Sequence, residues 1–144
     1  MTERVELHLH TTVPEDVSVI TPKDVIKTAV QMGHKAVAVT CRNSVQDFPE
    51  LEACRVKYGK DIKNIYGAEV YYLKDDTAYG IDLLAKNEEG LKGLYRVLSS
   101  MQKCGDRKVV DWQVIADNRE NLLCGALTWT ATELGDTLTT LLIF

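Results

Sequence analysis

The chain has 144 residues, 45% of them hydrophobic and 26% charged, with a formal net charge of −4. That size makes one ordinary domain able to bury roughly 68–70% of the surface its unfolded chain exposes, and the composition is globular rather than disordered or fibrous. An acidic balance with no run of lysines or arginines argues against stand-alone binding to nucleic acid. Residues 1–10 carry charge and lack the apolar core of a signal peptide, and nothing approaches the ~20 apolar residues that span a bilayer, so a cytoplasmic protein with no membrane contact is expected.

In chain order, Val5–Leu9 reads as a buried strand ending in two of the three histidines, His8 and His10. Residues two apart on a strand project from one face, so both imidazoles point into one space, a common beginning for a metal site. After a loop containing Pro14, Thr21-Pro22-Lys23-Asp24 predicts a helix start, with Thr as N-cap, Pro at the first helical position and an acid at the third. Val25, Ile26, Ala29 and Val30 form its apolar stripe. Gly33 ends it, and Lys35–Thr40 is a short apolar strand. This β–α–β unit implies parallel strands with a right-handed crossover.

Phe48-Pro49-Glu50 opens a second helix to about Tyr58, closed by Gly59. Ile62–Leu73 is strand-like with an interruption at Gly67. Asp75-Asp76 is a turn into the strand Ala78–Ala85, which suggests a hairpin. Asn87 caps a third helix with Glu88 and Glu89 in its first turn and the stripe Leu91, Leu94, Tyr95, Leu98, Met101. Gly105–Arg107 reads as loop, Trp112–Ala116 as a short helix, Leu122–Leu127 as a strand and Thr130–Leu142 as a closing helix weakened by its threonines. Alternating β and α elements predict an α/β layer or barrel. In parallel α/β folds functional residues gather at the C-terminal ends of strands; His8 and His10, Thr40–Arg42 and Glu69 all fall at or near such ends. The four cysteines, Cys41, Cys54, Cys104 and Cys124, form no CxxC pair and read as free thiols of a reducing compartment.

Those residues, in that order, resemble the PHP (polymerase and histidinol phosphatase) domain, specifically that of bacterial DNA polymerase III α subunits. Glu6-Leu7-His8-Leu9-His10-Thr11 is similar to the family's first H-x-H-[ST] motif, and Met32–Thr40 to the approach to its second. Val45–Glu50 resembles the PolC-type polymerases in particular. Tyr66-Gly67-Ala68-Glu69 matches the G-x-E motif, and Leu83–Leu91 a run shared by polymerase PHP domains. The resemblance is collinear over most of residues 4–127. It implies a distorted (β/α)7 barrel with mainly parallel strands, here partial, and a cluster of two or three divalent metals in intact members. Some members hydrolyse phosphate esters; in polymerases the domain proofreads, removes pyrophosphate or supports the polymerase structure. PolC-type chains usually carry an exonuclease after the G-x-E strand, whereas here Tyr71-Tyr72-Leu73 runs through a short turn to Leu83-Leu84-Ala85.

The departures shape the expectation. Where the family's second motif is Thr-Asp-His, this chain has Thr40-Cys41-Arg42, and arginine cannot coordinate a cation. Gly80 stands where a histidine is common, Thr128 where a cysteine is expected, and the family's closing motifs are absent. The expectation is therefore a single PHP-like domain over residues 1–144, without the last part of the barrel. His8, His10 and Glu69 are the remains of a metal set, and Glu69 pairs with Arg42 in place of the metal. No bound cofactor is expected. The leading role is a non-catalytic structural or interaction module, partnered by other segments of a replication polymerase or by a second copy of itself.

Two alternatives stay open. One is a metal-dependent phosphoesterase, alone or as part of a DNA-directed DNA polymerase, with a single zinc or manganese on His8, His10 and Glu69. The other is an anion-binding domain in which Arg42 holds phosphate. His34 reads as structural, Asp16 as solvated, Cys41 as a buried inert thiol rather than a ligand or nucleophile, and Trp112 and Trp129 as packing residues. The apolar tail Leu138–Phe144 is expected to cap the open side, unless the domain dimerises there.

Overall fold

A computed structural model describes residues 4–13 and 18–127. Asp16, Thr128, Trp129, the closing helix expected at 130–142 and the apolar tail lie outside the described residues. Contacts divide the chain into two units at Gly67–Ala68.

In the first unit, helix α1 (Pro22–Gln31) begins as its sequence dictates: Thr21 and Asp24 form a reciprocal capping box, with Pro22 in the first turn. Gly33, at φ +70°, takes the left-handed conformation that ends it. Pro22, Val25, Ile26 and Ala29 form its buried face. Val30 is 45% exposed, because it lies at the margin of a stripe that the i, i+3, i+4, i+7 positions already fill. Strand β1 (Ala36–Val39), buried at all four positions, pairs in parallel with the start of β2 (Lys63–Lys74), from Ala36 opposite Lys63 to Val39 opposite Tyr66. Helix α2 (Phe48–Tyr58) buries Phe48, Leu51 and Cys54. The core joins Val25, Ile26 and Ala29 of α1 to Val37 and Val39 of β1, Cys41, Leu51, Cys54 and Ile62.

Val5–Leu9 departs from the buried strand expected. It is extended beside β1, where Ala38 N–H donates to the Glu6 carbonyl and Thr40 N–H to the Leu9 carbonyl, each at 2.8 Å. One parallel bridge, Glu6 to Val37, is all the ladder it forms outside named strands. Of its apolar side chains only Leu9 packs on the core; Val5 and Leu7 are 39% and 48% exposed. An apolar run predicts burial only where a second layer covers it, and in this unit that layer reaches Leu9 alone.

In the second unit β2 continues without a break at Gly67. It turns at Asp75-Asp76, both at positive φ (50° and 61°), into β3 (Thr77–Ala85). Consecutive left-handed residues are the signature of a tight hairpin turn. β3 pairs antiparallel with β6 (Leu122–Ala126), giving the order β1-β2-β3-β6. Helix α3 (Glu88–Ser99) starts where the Asn87 side chain accepts from Gly90 N–H at 2.9 Å. Its buried face is Gly90, Gly93, Leu94 and Val97, while Tyr95 is 43% exposed. Gly105-Asp106, within the loop expected at Gly105–Arg107, is the turn of a small antiparallel hairpin whose strands the sequence did not predict, β4 (Gln102–Cys104) with β5 (Arg107–Val109). Helix α4 (Trp112–Asp117) and a 3-10 turn at Arg119–Asn121 lead into β6.

The fold is thus mixed α/β. Among the described residues, parallel pairing joins β1 with β2 and forms bridges at Glu6 and Tyr72; the β3–β6 and β4–β5 pairs are antiparallel. This corrects the expectation of mainly parallel strands, and a closed barrel is not formed by the described residues. Part of the cause is local: a two-residue turn such as Gly105-Asp106, between β4 and β5, allows only antiparallel neighbours, whereas β3 and β6 are joined through α3, the β4–β5 hairpin and α4.

Candidate metal centre

The extended chain at His8-Leu9-His10 delivers what its spacing promises. The two imidazoles lie side by side, ring centroids 4.8 Å apart and tilted by 56°. Thr40, fully buried just beyond β1, holds this segment twice. Its N–H donates to the carbonyl of Leu9, between the histidines, at 2.8 Å. Its hydroxyl lies 3.1 Å from His8 Nδ1.

Adjacent residues of an extended chain face opposite ways, so a Thr40 turned to His8 sends Cys41 to the other side. There Cys41 meets Thr11 and Asp47, all three fully buried. Thr11 N–H donates to Cys41 Sγ at 3.2 Å, and Asp47 Oδ2 accepts from both the Thr11 hydroxyl (3.2 Å) and the Cys41 thiol (3.4 Å). Burial pushes the Cys41 thiol up to about 11, the bonds from Thr11 oppose this, and the charge of Asp47 adds to it. Cys41 is a protonated hydrogen-bond donor, with neither the ionisation of a ligand nor that of a nucleophile. Asp47 is the residue the sequence did not reveal. It occupies the N-cap position of α2 but makes no capping bond, since its carboxylate serves Thr11 and Cys41 instead. An acid directly before Phe48-Pro49-Glu50 looks like an ordinary helix cap, and nothing local marks it as a partner of Thr11 and Cys41.

Glu69, on β2, is 2% exposed. Tyr71, two residues on and therefore on the same strand face, donates its hydroxyl to Glu69 Oε1 at 3.0 Å. The Arg107 guanidinium lies 5.2 Å from the Tyr71 ring centre. One ligand atom each from His8, His10 and Glu69 fall within 4.8 Å of one another. Two imidazoles and a carboxylate are a donor set for a single zinc or manganese ion, so the residues fit one cation. Arg42 follows Cys41 and is exposed. His34 belongs elsewhere, lining a groove of about 320 Å³ with Leu9, Val25 and Met32. Trp112 packs on Tyr72 at a ring distance of 5.1 Å. No helix among the described residues is long and apolar enough to cross a membrane.

The chain is 42% identical over 96 residues to the PolC-type DNA polymerase III of Caldanaerobacter subterraneus, a match covering 66% of this chain and 6% of that protein. The corresponding polymerase of Oceanobacillus iheyensis is 38% identical over 73 residues, 51% of this chain and 5% of the relative. The chain therefore spans only about one-twentieth of the length of these relatives. Among solved structures, an amidohydrolase from Chromobacterium violaceum superimposes with a TM-score of 0.50 at 21% identity, over 65% of this chain and 32% of its own, a likeness of fold alone. The family model for the PHP domain matches residues 6–141, nearly the whole sequence and with it both histidines and Glu69: this chain belongs to the PHP domain family.

Proposed function

We propose that this chain serves as the PHP module of a PolC-type replicative polymerase system in the cytoplasm, with His8, His10 and Glu69 holding one divalent cation and with no hydrolysis by the module itself. The observation that carries the reading is the convergence of those three ligand atoms while Cys41, the neighbouring candidate, is committed to Asp47. When bound, such a cation supplies positive charge able to polarise a phosphate oxygen and acidify a water. The chain's own residues supply the rest: Thr40 anchors the histidine segment, and Tyr71 orients Glu69 by donating to one of its oxygens. Phosphoester hydrolysis with two metals clamps both the entering and the leaving oxygen, and the described residues offer one ligand group. A supporting role within the polymerase chain, through contacts with its other segments, is the reading most consistent with that donor count.

Protein purified without an affinity tag, loaded with zinc or manganese and analysed by mass spectrometry for metal, tests this. About one cation per chain is expected, lost in His10→Ala and in Glu69→Gln, with no hydrolysis of bis(p-nitrophenyl) phosphate above the metal-only rate. Absence of uptake overturns the metal assignment. Turnover that disappears in His10→Ala overturns the non-catalytic role. An Arg42–Glu69 ion pair is the competing use of the carboxylate, and Arg42→Gln would then raise metal affinity rather than leave it unchanged.

A further inference from the structure

We infer that Asp47, acting through Thr11, is a positioning residue for His10, fixing the backbone from which that imidazole projects; the metal part of this rests on the function proposed above. β1 ends at Val39, and beyond it side chains join in fastening the histidine segment. The Ser18 hydroxyl donates to the His10 carbonyl at 2.8 Å, and Thr12 N–H donates to the Ile20 carbonyl at 3.0 Å. Between them in the chain, Thr11 N–H donates to Cys41 Sγ and the Thr11 hydroxyl to Asp47 Oδ2, each at 3.2 Å. None of these bonds uses a ring nitrogen, so the tether acts on the main chain around His10 whatever either imidazole is bonded to.

Asp47 closes this tether. Its Oδ2 receives the Thr11 hydroxyl and the Cys41 thiol together, so the residue after His10 and the residue after Thr40 share one acceptor. Thr11, Cys41 and Asp47 are all fully buried, where water does not replace a lost partner. The same carboxylate makes no capping bond at the head of α2, although aspartate is among the best caps. A chain that buries an acid and withholds it from a helix end departs from two local preferences at once, and such departures gather at functional sites. Here the departure is fastened to the residue next to His10, all of it within the first unit. Binding constellations are held to within about 0.5 Å by supporting groups of this kind.

Thr11→Val keeps the shape and removes the hydroxyl, Thr11→Ser keeps the hydroxyl, and Asp47→Leu removes the acceptor. In the metal-free protein, the nuclear Overhauser effect between the His8 and His10 rings, whose centroids stand 4.8 Å apart, reads the position of His10. Calorimetric titration with zinc reads affinity. The ring-to-ring effect varies as the inverse sixth power of distance, so a shift of about 0.5 Å lowers it about two-fold. That loss is expected in Thr11→Val and Asp47→Leu, and the full effect in the wild type and Thr11→Ser. Zinc affinity should fall about 10-fold in the same two variants, the lower end of what a ligand's supporting partners contribute, and recover in Thr11→Ser. Cys54→Ala, in the same core but outside the hydrogen-bonded cluster, lowers the urea midpoint and should change neither readout, which separates positioning from general loss of stability. A ring-to-ring effect absent from the wild type, unchanged in Thr11→Val, or reduced equally by Cys54→Ala overturns the inference, whatever the metal result. A wild type that takes up no zinc, but whose ring contact still depends on Thr11, overturns the metal reading and leaves the tether standing. Circular dichroism confirms that each variant is folded, and if Asp47→Leu is not, Thr11→Val decides alone.

Discussion

Cys41 follows Thr40 but faces away from the histidines toward Thr11 and Asp47, and its chemistry follows from the cluster it joins. With its thiol pushed up to about 11, only about 0.1% is thiolate at pH 8, against about a quarter for an unperturbed thiol near 8.5. That alone slows alkylation about 200-fold, before counting its complete burial. Cys104 is exposed and serves as the internal standard. Cys124 is partly exposed, but burial of its sulfur pushes it up to about 12. A short pulse of N-ethylmaleimide on native protein at pH 8, followed by peptide mass mapping, should label Cys104 quickly and leave Cys41 unmodified until the chain is unfolded. The sign of the pH dependence follows. The folded thiol's pKa lies above the unfolded value, so its contribution to stability is fully present below about 8.5 and is lost as pH rises toward 11, by up to about 3 kcal/mol. Cys41→Ala should flatten that alkaline loss. Labelling of Cys41 on the time scale of Cys104, or an unchanged alkaline limb in Cys41→Ala, would refute the assignment of a locked, protonated thiol.

Two further outcomes test the packing. A Cβ at Gly90 would lie 2.1 Å from the Asn121 carbonyl oxygen and 3.2 Å from the Ala85 Cα. These are backbone atoms that no rotamer change can move, so Gly90→Ala should cost about 2 kcal/mol in urea unfolding despite the gain in helix propensity. Gly93→Ala meets the Asn118 side chain at 3.2 Å and should stay within about 1 kcal/mol of the parent. At the α2–β2 junction, hydrogen bonds from Arg55 first, then Tyr66 and Asn64, hold the Glu52 carboxyl near 2. Its folded value lies below the unfolded one, so its contribution is present above about 4.5 and lost as pH falls toward 2. Because the group is partly exposed, Glu52→Gln should cost only about 1 kcal/mol at pH 7, and its stability curve should meet the parent's near pH 2; parallel curves across that range would count against the network.

Features written in local chemistry were legible in the sequence. The Thr21 cap followed by Pro22, Pro49 in the first turn of α2, the Asn87 cap and the Asp75-Asp76 turn each depend on residues within four positions of one another, and the structure has all of them. The histidine pair is legible in its i, i+2 spacing, and Glu69 only through the family resemblance. What failed depends on distant neighbours. The exposure of Val5 and Leu7 turns on how far an apolar layer extends, and Val97 rather than Tyr95 faces the interior because α3 rotates to bring Gly90 and Gly93 against the backbone and Asn118. The β4–β5 hairpin was missed because Lys103, Cys104, Arg107 and Lys108 are all exposed, leaving no alternation to betray a strand. Asp47 was missed because its partners, Thr11 and Cys41, lie 36 and 6 residues away.

The two-residue turn at Asp75-Asp76 has a consequence for chain architecture. The ends of β2 and β3 that it connects belong to neighbouring hydrogen-bonded strands, so they stand about 5 Å apart. Globular domains commonly have their own termini close together at the surface. A whole folded body could be spliced between Asp75 and Asp76 with both cut ends satisfied by short leads, while Glu69 and Tyr71 upstream and the β3–β6 pairing downstream kept their register. The tip of this hairpin is thus a natural port of entry for a guest domain, and the tight turn is that port in its closed form.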